Sequence, residues 1–260
     1  MAWRAGVVGS PIEHSLSPQL HLAGMRHLGI EGTSERFEID ETNVARLGEL
    51  LGERVDSLSV TMPLKTAAVA FCDELDATAQ SLGVVSSLWY HEGRTRGAAT
   101  DGPGFLDSLR GLFGVDVAHM HAVVLGAGGA ARAIVDALVT HQVASVVVHG
   151  RSPENVERLV RRYDVVVDEM VVHRPVDLIV NTTPVQGRRH DAAVLQGVTR
   201  DTIAVDITYD PRLSPWLQQH AEHGCRHSNG LAMLAYQAAR QMNWWWGSDL
   251  DGGLLLKELS

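Results

Sequence analysis

The sequence predicts an α/β protein built on parallel β-sheet, on three observations. Short β-branched apolar runs recur along the chain and end in Gly or Pro. Helix-like segments separate them at a regular pitch, and one Gly-rich turn joins such a run to an Ala-rich helix. Strand-and-helix alternation of this kind places helices on the faces of a parallel sheet.

The elements follow in order. Ala5-Gly-Val-Val-Gly9 is an apolar run closed by Ser10 and Pro11, which predicts a buried strand feeding a loop. Pro18 to Leu28 carries Leu20, Ala23, Met25 and Leu28 at helical spacing, with Ser17 as its expected N-cap and Pro18 at the first helical position. Leu58-Ser-Val-Thr61 repeats the strand pattern before Pro63. In the second half, His121 to Leu125 and Ser145 to Val148 read as strands, with helices over Ala130 to Val139 and Pro153 to Tyr163. Leu178 to Val180 and Ile203 to Val205 complete the strands.

The 260 residues are enough for one large domain or two. The net charge of −9 repels phosphate backbones at long range, so nucleic acid is not an expected partner. Cys72 and Cys225 lie far apart and form neither a disulfide framework nor a zinc pattern, which suits a reducing compartment. Met1 to Gly9 does not read as a signal peptide, and no apolar run reaches the roughly 18 residues of a membrane span. The expectation is a cytoplasmic protein.

Gly126-Ala-Gly128-Gly129-Ala-Ala131 follows an apolar strand and opens a helix. A dinucleotide needs small residues there, for the turn, for approach of the pyrophosphate to the backbone and for helix–strand packing. The unpaired N–H groups of the helix start then face the phosphates. A turn that merely permits tight packing is the alternative. The next strand ends in His149-Gly150-Arg151-Ser152, without the acid that would bind a ribose 2′-hydroxyl. Arg151 favours a 2′-phosphate instead, hence NADP over NAD, unless it is only a solvated charge.

Ser15 and Ser17 flank a helix start, where they read either as carboxylate ligands or as simple caps. His14 alone reads as structural or exposed. Lys65 follows a strand and a Pro turn, and Asp101 lies in the Gly-rich stretch Thr100 to Gly104. A Lys in a polar pocket oriented by a carboxylate can transfer a proton. By spacing alone the two read equally as a surface Lys and a helix-capping Asp.

In order along the chain, these segments resemble the shikimate dehydrogenase family. Gly9 to His21 is similar to its substrate-carboxylate loop, Ser59 to Lys65 to its VTxPxK segment, and Ala99 to Phe105 to its NTDGxGF segment. Gly126 to Ala131 and Arg151-Ser152 are similar to its cofactor segments, and Asp206 to Pro211 with Ser214-Pro215 to its DxxYxP…TP stretch. Gly230 to Ala239 is similar to its GxxMLxxQAA helix.

The resemblance implies a two-domain protein. Residues 1–102, completed by C-terminal helices in 231–260, form an α/β substrate domain, and 103–230 a Rossmann-type NADP domain. It implies reversible reduction of 3-dehydroshikimate to shikimate by NADPH, with Lys65 and Asp101 as the catalytic pair. Ser15, Ser17, Ser59, Thr61, Ser86, Tyr209 and Gln237 are the implied substrate residues. Gly126, Ala127, Gly128, Gly129, Ala130, Arg151, Ser152, Asn181, Thr183, Ile207, Gly230 and Met233 are the implied cofactor residues.

The chain departs from the family pattern at several positions. Ser59, Ser86 and Ala99 stand where the family usually has Asn, Asn155 where a second basic residue is common, and Gln186 where Gly is usual. Serine reaches less far than an amide and has one donor, so recognition of ring hydroxyls is expected to differ. Two alternatives follow: a relative acting on quinate or a similar polyhydroxy acid with NAD, and a non-catalytic dinucleotide binder.

Overall fold

The structure is a computed structural model that describes residues 2–167, 175–183 and 196–259. The chain divides into two compact units, Met1–Ser108 with Leu234–Ser260, and Leu109–Met233. The first divide falls inside one helix and the second inside another.

In the first unit the strands are β1 (Trp3–Gly9), β2 (Gly32–Glu38), β3 (Ser57–Val60), β4 (Glu74–Leu75), β5 (Ser87–His91) and β6 (Arg94–Ala98). The helices are α1 (Ser17–Leu28), α2 (Arg46–Leu50), a 3-10 turn at Ala67–Phe71, α3 (Ala77–Leu82) and the start of α4 (Asp101–Phe113). The sheet order is β2-β1-β3-β5-β6-β4. β1 is parallel to β2 and β3, but β5 runs antiparallel to both β3 and β6. This sheet is therefore mixed and not parallel throughout as expected. The cause is local: Glu92 and Gly93 both take positive φ (51° and 78°), the two-residue turn that joins β5 to β6 as a hairpin.

One expected cap is also corrected. Leu16 holds helical angles and its carbonyl accepts the N–H of Leu20, so α1 begins one residue early and Ser17 is inside it. Pro18 accordingly lies one place further in than the first helical position.

The second unit contains β7 (His121–Leu125), α5 (Gly129–Thr140), β8 (Ser145–His149), α6 (Pro153–Val160), β9 (Val166–Val167), β10 (Val176–Asn181) and β11 (Val198–Asp206). α7 (Pro215–Glu222) and β12 (Arg226–Ser228) follow, and α8 (Gly230–Trp246) and α9 (Gly252–Lys257) return to the first unit. α6 stops at Val160, short of the expected Tyr163, and β11 begins well before the expected Ile203. The second sheet is parallel throughout, in the order β12-β11-β10-β7-β8-β9. Both of its faces are covered. Val123, Leu125, Val147, Ile179 and Ala204 pack with Trp216 and Leu217 of α7, while the alternating Val124, Val148, Val180 and Val205 are equally buried. The order reverses between β7 and β10, the place where such sheets open a crevice at their carboxyl ends. No described helix is long and apolar enough to cross a membrane.

Candidate active site

In the first unit, the expected site residues gather where β1, β3 and β6 end and β5 begins. The antiparallel register of Ser59 with Ser87 puts these four chain ends on one edge of the sheet. Lys65 lies in the turn after β3, and Asp101 is the first residue of α4, where the positive helix end suits a carboxylate. Their side chains meet, Lys65 Nζ lying 2.5 Å from Asp101 Oδ2, with the Asp101 side chain only 3% exposed. The other oxygen, Asp101 Oδ1, is buried without a partner among the described residues. A buried acceptor left open calls for a donor from outside the protein.

The β1–α1 loop with Ser15 and Ser17 is held from three sides. Ser10 N–H donates to the carbonyl of Met62, and Arg36 on β2 donates through Nε and Nη2 to the carbonyl of Ser15 (3.0 and 2.6 Å). Glu38, two residues along the same strand, accepts from Ser10 Oγ and Ile12 N–H. Ser15 Oγ accepts the N–H of Ser17 at 3.3 Å, and His14 is exposed. Thr61 joins the same edge, its N–H bonded to the carbonyl of Val8. Gln237 on α8 lies against Gly104 of α4 so closely that only glycine fits there.

Ser59 and Ser86 are both turned into the protein. Ser59 Oγ donates to Gln241 Oε1 at 2.6 Å and contacts His21 Nε2 at 2.9 Å, while His21 Nδ1 meets Ser34 Oγ at 2.8 Å. The single Ser59 proton is already given to Gln241, so His21 donates through Nε2 and accepts at Nδ1. Burial holds His21 neutral, its pKa pushed down to about 3. Gln241 Nε2 donates to the carbonyl of Ser86, and Ser86 Oγ pairs with Thr100. His21, Gln241, Arg36 and Glu38 were not singled out in the sequence. Two of them had a readable signal: His21 and Gln241 each stand four residues beyond a chosen residue, Ser17 and Gln237, on the same helix face.

The second unit sets out its own residues at the β7–β10 reversal. Gly126 takes φ +120°, and a side chain there would collide with Thr182 Oγ1. Gly128 precedes α5 with no side-chain cap and faces open space, so Gly129 and Ala130 begin the helix with amide donors that the helix itself does not use. Ala127 lies between Gly126 and Gly128, buried. Arg151 is exposed after β8, and Ser152 caps α6 by accepting from Asn155 N–H. Asn181 ends β10 and accepts from both N–H and Oγ1 of Thr183. Gln186 lies outside the described residues. These features fit a phosphorylated dinucleotide: an open helix start, a turn that admits no side chain and an exposed guanidinium after the second strand.

Ile207, Tyr209, Gly230 and Met233 also belong to this unit. Asp206, which opens the DxxYxP stretch but was given no role in the sequence, braces the loop that carries Ile207 and Tyr209. It accepts from Thr208 N–H and Oγ1 and from Ser214 Oγ, which in turn caps α7. Gly230 N–H donates to the carbonyl of Thr208, which brings the start of α8 against Ile207. Met233 is buried and Tyr209 partly exposed. Among the described residues no group of three or more His, Cys, Asp or Glu could hold a metal ion.

Two family models match the chain. The shikimate dehydrogenase substrate binding domain matches residues 7–88, and shikimate / quinate 5-dehydrogenase matches residues 110–215. A shikimate dehydrogenase (NADP(+)) of an Exiguobacterium species is 35% identical, over 94% of this chain and 93% of that protein. One from Methanopyrus kandleri is 32% identical over 94% and 90%. The crystal structure of shikimate 5-dehydrogenase from Thermus thermophilus, in complex with NADP(H) and shikimate, superposes with a TM-score of 0.89. It shares 32% identity, with 98% of each chain covered. With near-complete coverage in sequence and in structure, this chain belongs to the shikimate dehydrogenase family.

Proposed function

We propose that the protein is an NADP-dependent shikimate dehydrogenase that interconverts 3-dehydroshikimate and shikimate. The observation that carries this reading is the Lys65–Asp101 pair, in contact at 2.5 Å with one buried carboxylate oxygen left open. When bound, the reduced cofactor supplies a hydride to the ring carbonyl carbon. Lys65 delivers a proton to the carbonyl oxygen as negative charge develops there, so that C=O becomes CH–OH. In the reverse direction Lys65 takes that proton back. Asp101 orients Lys65 through Oδ2 and accepts a ring hydroxyl at Oδ1. Ser15 and Ser17 hold the substrate carboxylate, with Thr61 and Gln237 beside them. A binder without chemistry has no use for a proton-transfer pair. On this reading the first unit binds substrate and the second NADP, and the protein acts in the cytoplasm as a monomer or homodimer. Size-exclusion chromatography with light scattering checks the last point.

A second reading has one observation in its favour. Ser59 and Ser86 spend their hydroxyls inside the protein, which leaves fewer groups to read the ring hydroxyls than two asparagines would. Quinate or another polyhydroxy cyclohexane carboxylate, with NAD, is the alternative substrate class. Steady-state turnover of shikimate and quinate, each with NADP and with NAD, separates the two. Highest kcat/KM for shikimate with NADP is expected; faster quinate turnover with NAD would overturn the first reading.

A further inference from the structure

We propose that Ser86 is a positioning residue for the Lys65–Asp101 pair and not a ligand of the substrate ring, and that Gln241 and His21 hold it in place. The inference rests on the proposed dehydrogenase reading. Residues 85 and 86, between α3 and β5, touch the backbone of both catalytic segments. Val85 N–H donates to the carbonyl of Lys65 (2.8 Å), and Ser86 Oγ accepts the N–H of Thr100 (2.8 Å), the residue immediately before Asp101. Ser86 Oγ also shares a proton with Thr100 Oγ1 at 3.0 Å. Thr100 thus takes two of the three hydrogen-bonding positions of a hydroxyl that is almost wholly buried.

The backbone of Ser86 is fixed as firmly. Its N–H donates to the carbonyl of Ala98, and its carbonyl accepts from both Val60 N–H and Gln241 Nε2. Gln241 in turn is set by Ser59, and Ser59 by neutral His21, so a buried chain of hydrogen bonds runs from Ser34 on β2 to the start of α4. The Thr100 amide belongs to the start of α4, where amides lack helical partners. Ser86 supplies the missing acceptor and thereby sets where the first residue of that helix, Asp101, stands.

Removing the hydroxyl leaves Thr100 N–H buried without a partner, and α4 must shift to satisfy it. The shift separates Asp101 from Lys65, which slows the chemistry without removing a contact to the ring. For Ser86→Ala we expect kcat for shikimate oxidation to fall by about 10- to 100-fold, with the shikimate KM changed less than about threefold. Thr100→Val, which keeps the amide and loses only Oγ1, lowers kcat in the same way but less. A crystal structure of Ser86→Ala is expected to show the Lys65–Asp101 contact lengthened. A shikimate KM raised tenfold at unchanged kcat makes Ser86 a substrate ligand and overturns the proposal. So does an unaltered Lys65–Asp101 contact, or no kinetic change at all. If Ser86→Ala does not fold, the kcat-against-KM split of Thr100→Val decides in its place. The crystallographic distance does not depend on which substrate is turned over, so it separates failure here from failure of the dehydrogenase reading, which shows as absent shikimate turnover in the parent protein.

Discussion

Lys65→Ala removes the proposed proton donor and leaves the carboxylate loop untouched. The expected outcome is a fall in kcat of about 10²- to 10⁴-fold with shikimate still bound, measured by steady-state kinetics and by calorimetric titration. His21 supplies a prediction of a different kind. Its proton binds near pH 3 in the folded protein and near 6.5 in the unfolded chain, so between these values the unfolded state holds more protons. Stability therefore falls as pH falls through that window, and from pH 7 to pH 5 this one residue accounts for about 2 kcal/mol. Urea unfolding of the parent protein and of His21→Gln at the two pH values checks it, the variant losing less. At this scale the sequence was informative in an uneven way. Lys65 and Asp101 are ordinary surface types by spacing and stood out only through the ordered motifs around them. For His21 and Gln241 the four-residue spacing from Ser17 and Gln237 gave the helix face, but not the bonding, because the partners that hold them, Ser59 and Ser86, come from other elements.

The Gly126 turn between β7 and α5 concentrates the demands of one element into one position. Its φ of +120° and the Thr182 hydroxyl beside it both exclude a side chain. Gly126→Ala is expected to destabilise the protein by about 1–3 kcal/mol and to weaken NADP binding at least tenfold. Thermal unfolding and fluorescence titration with NADPH measure the two effects, and unchanged binding would remove this turn from the cofactor site. The parallel sheet was legible because strands buried on both faces write themselves as continuous Val, Ile and Leu runs. The hairpin of β5 and β6 was not. Trp89-Tyr-His-Glu-Gly-Arg-Thr95 lacks the Asn-Gly or Asp-Gly usual at such turns, and Glu92 takes a positive φ that glutamate seldom adopts. β2 and the short β4 and β12 escaped for a related reason: they are edge strands, where little apolar patterning is required.

For the whole molecule, ligand binding to the second unit is expected to report on the cofactor. NADP at saturating concentration raises Tm, and NAD at the same concentration raises it less, because the exposed Arg151 can meet a 2′-phosphate. Arg151→Ala is expected to narrow that difference and to raise the NADP KM by about tenfold while changing the NAD KM little. An equal effect on both cofactors would assign Arg151 to the surface. The divisions at Ser108 and Leu234 carry a consequence for truncation. Residues 109–233 are contiguous, whereas the first unit is completed only by the segment from Leu234 onward. A chain cut after Met233 keeps Lys65 and Asp101 but leaves Ser59 and the carbonyl of Ser86 with no Gln241 to meet. Loss of the returning segment therefore falls on the proposed proton-transfer pair, far from it in sequence, and spares the strands of the second unit.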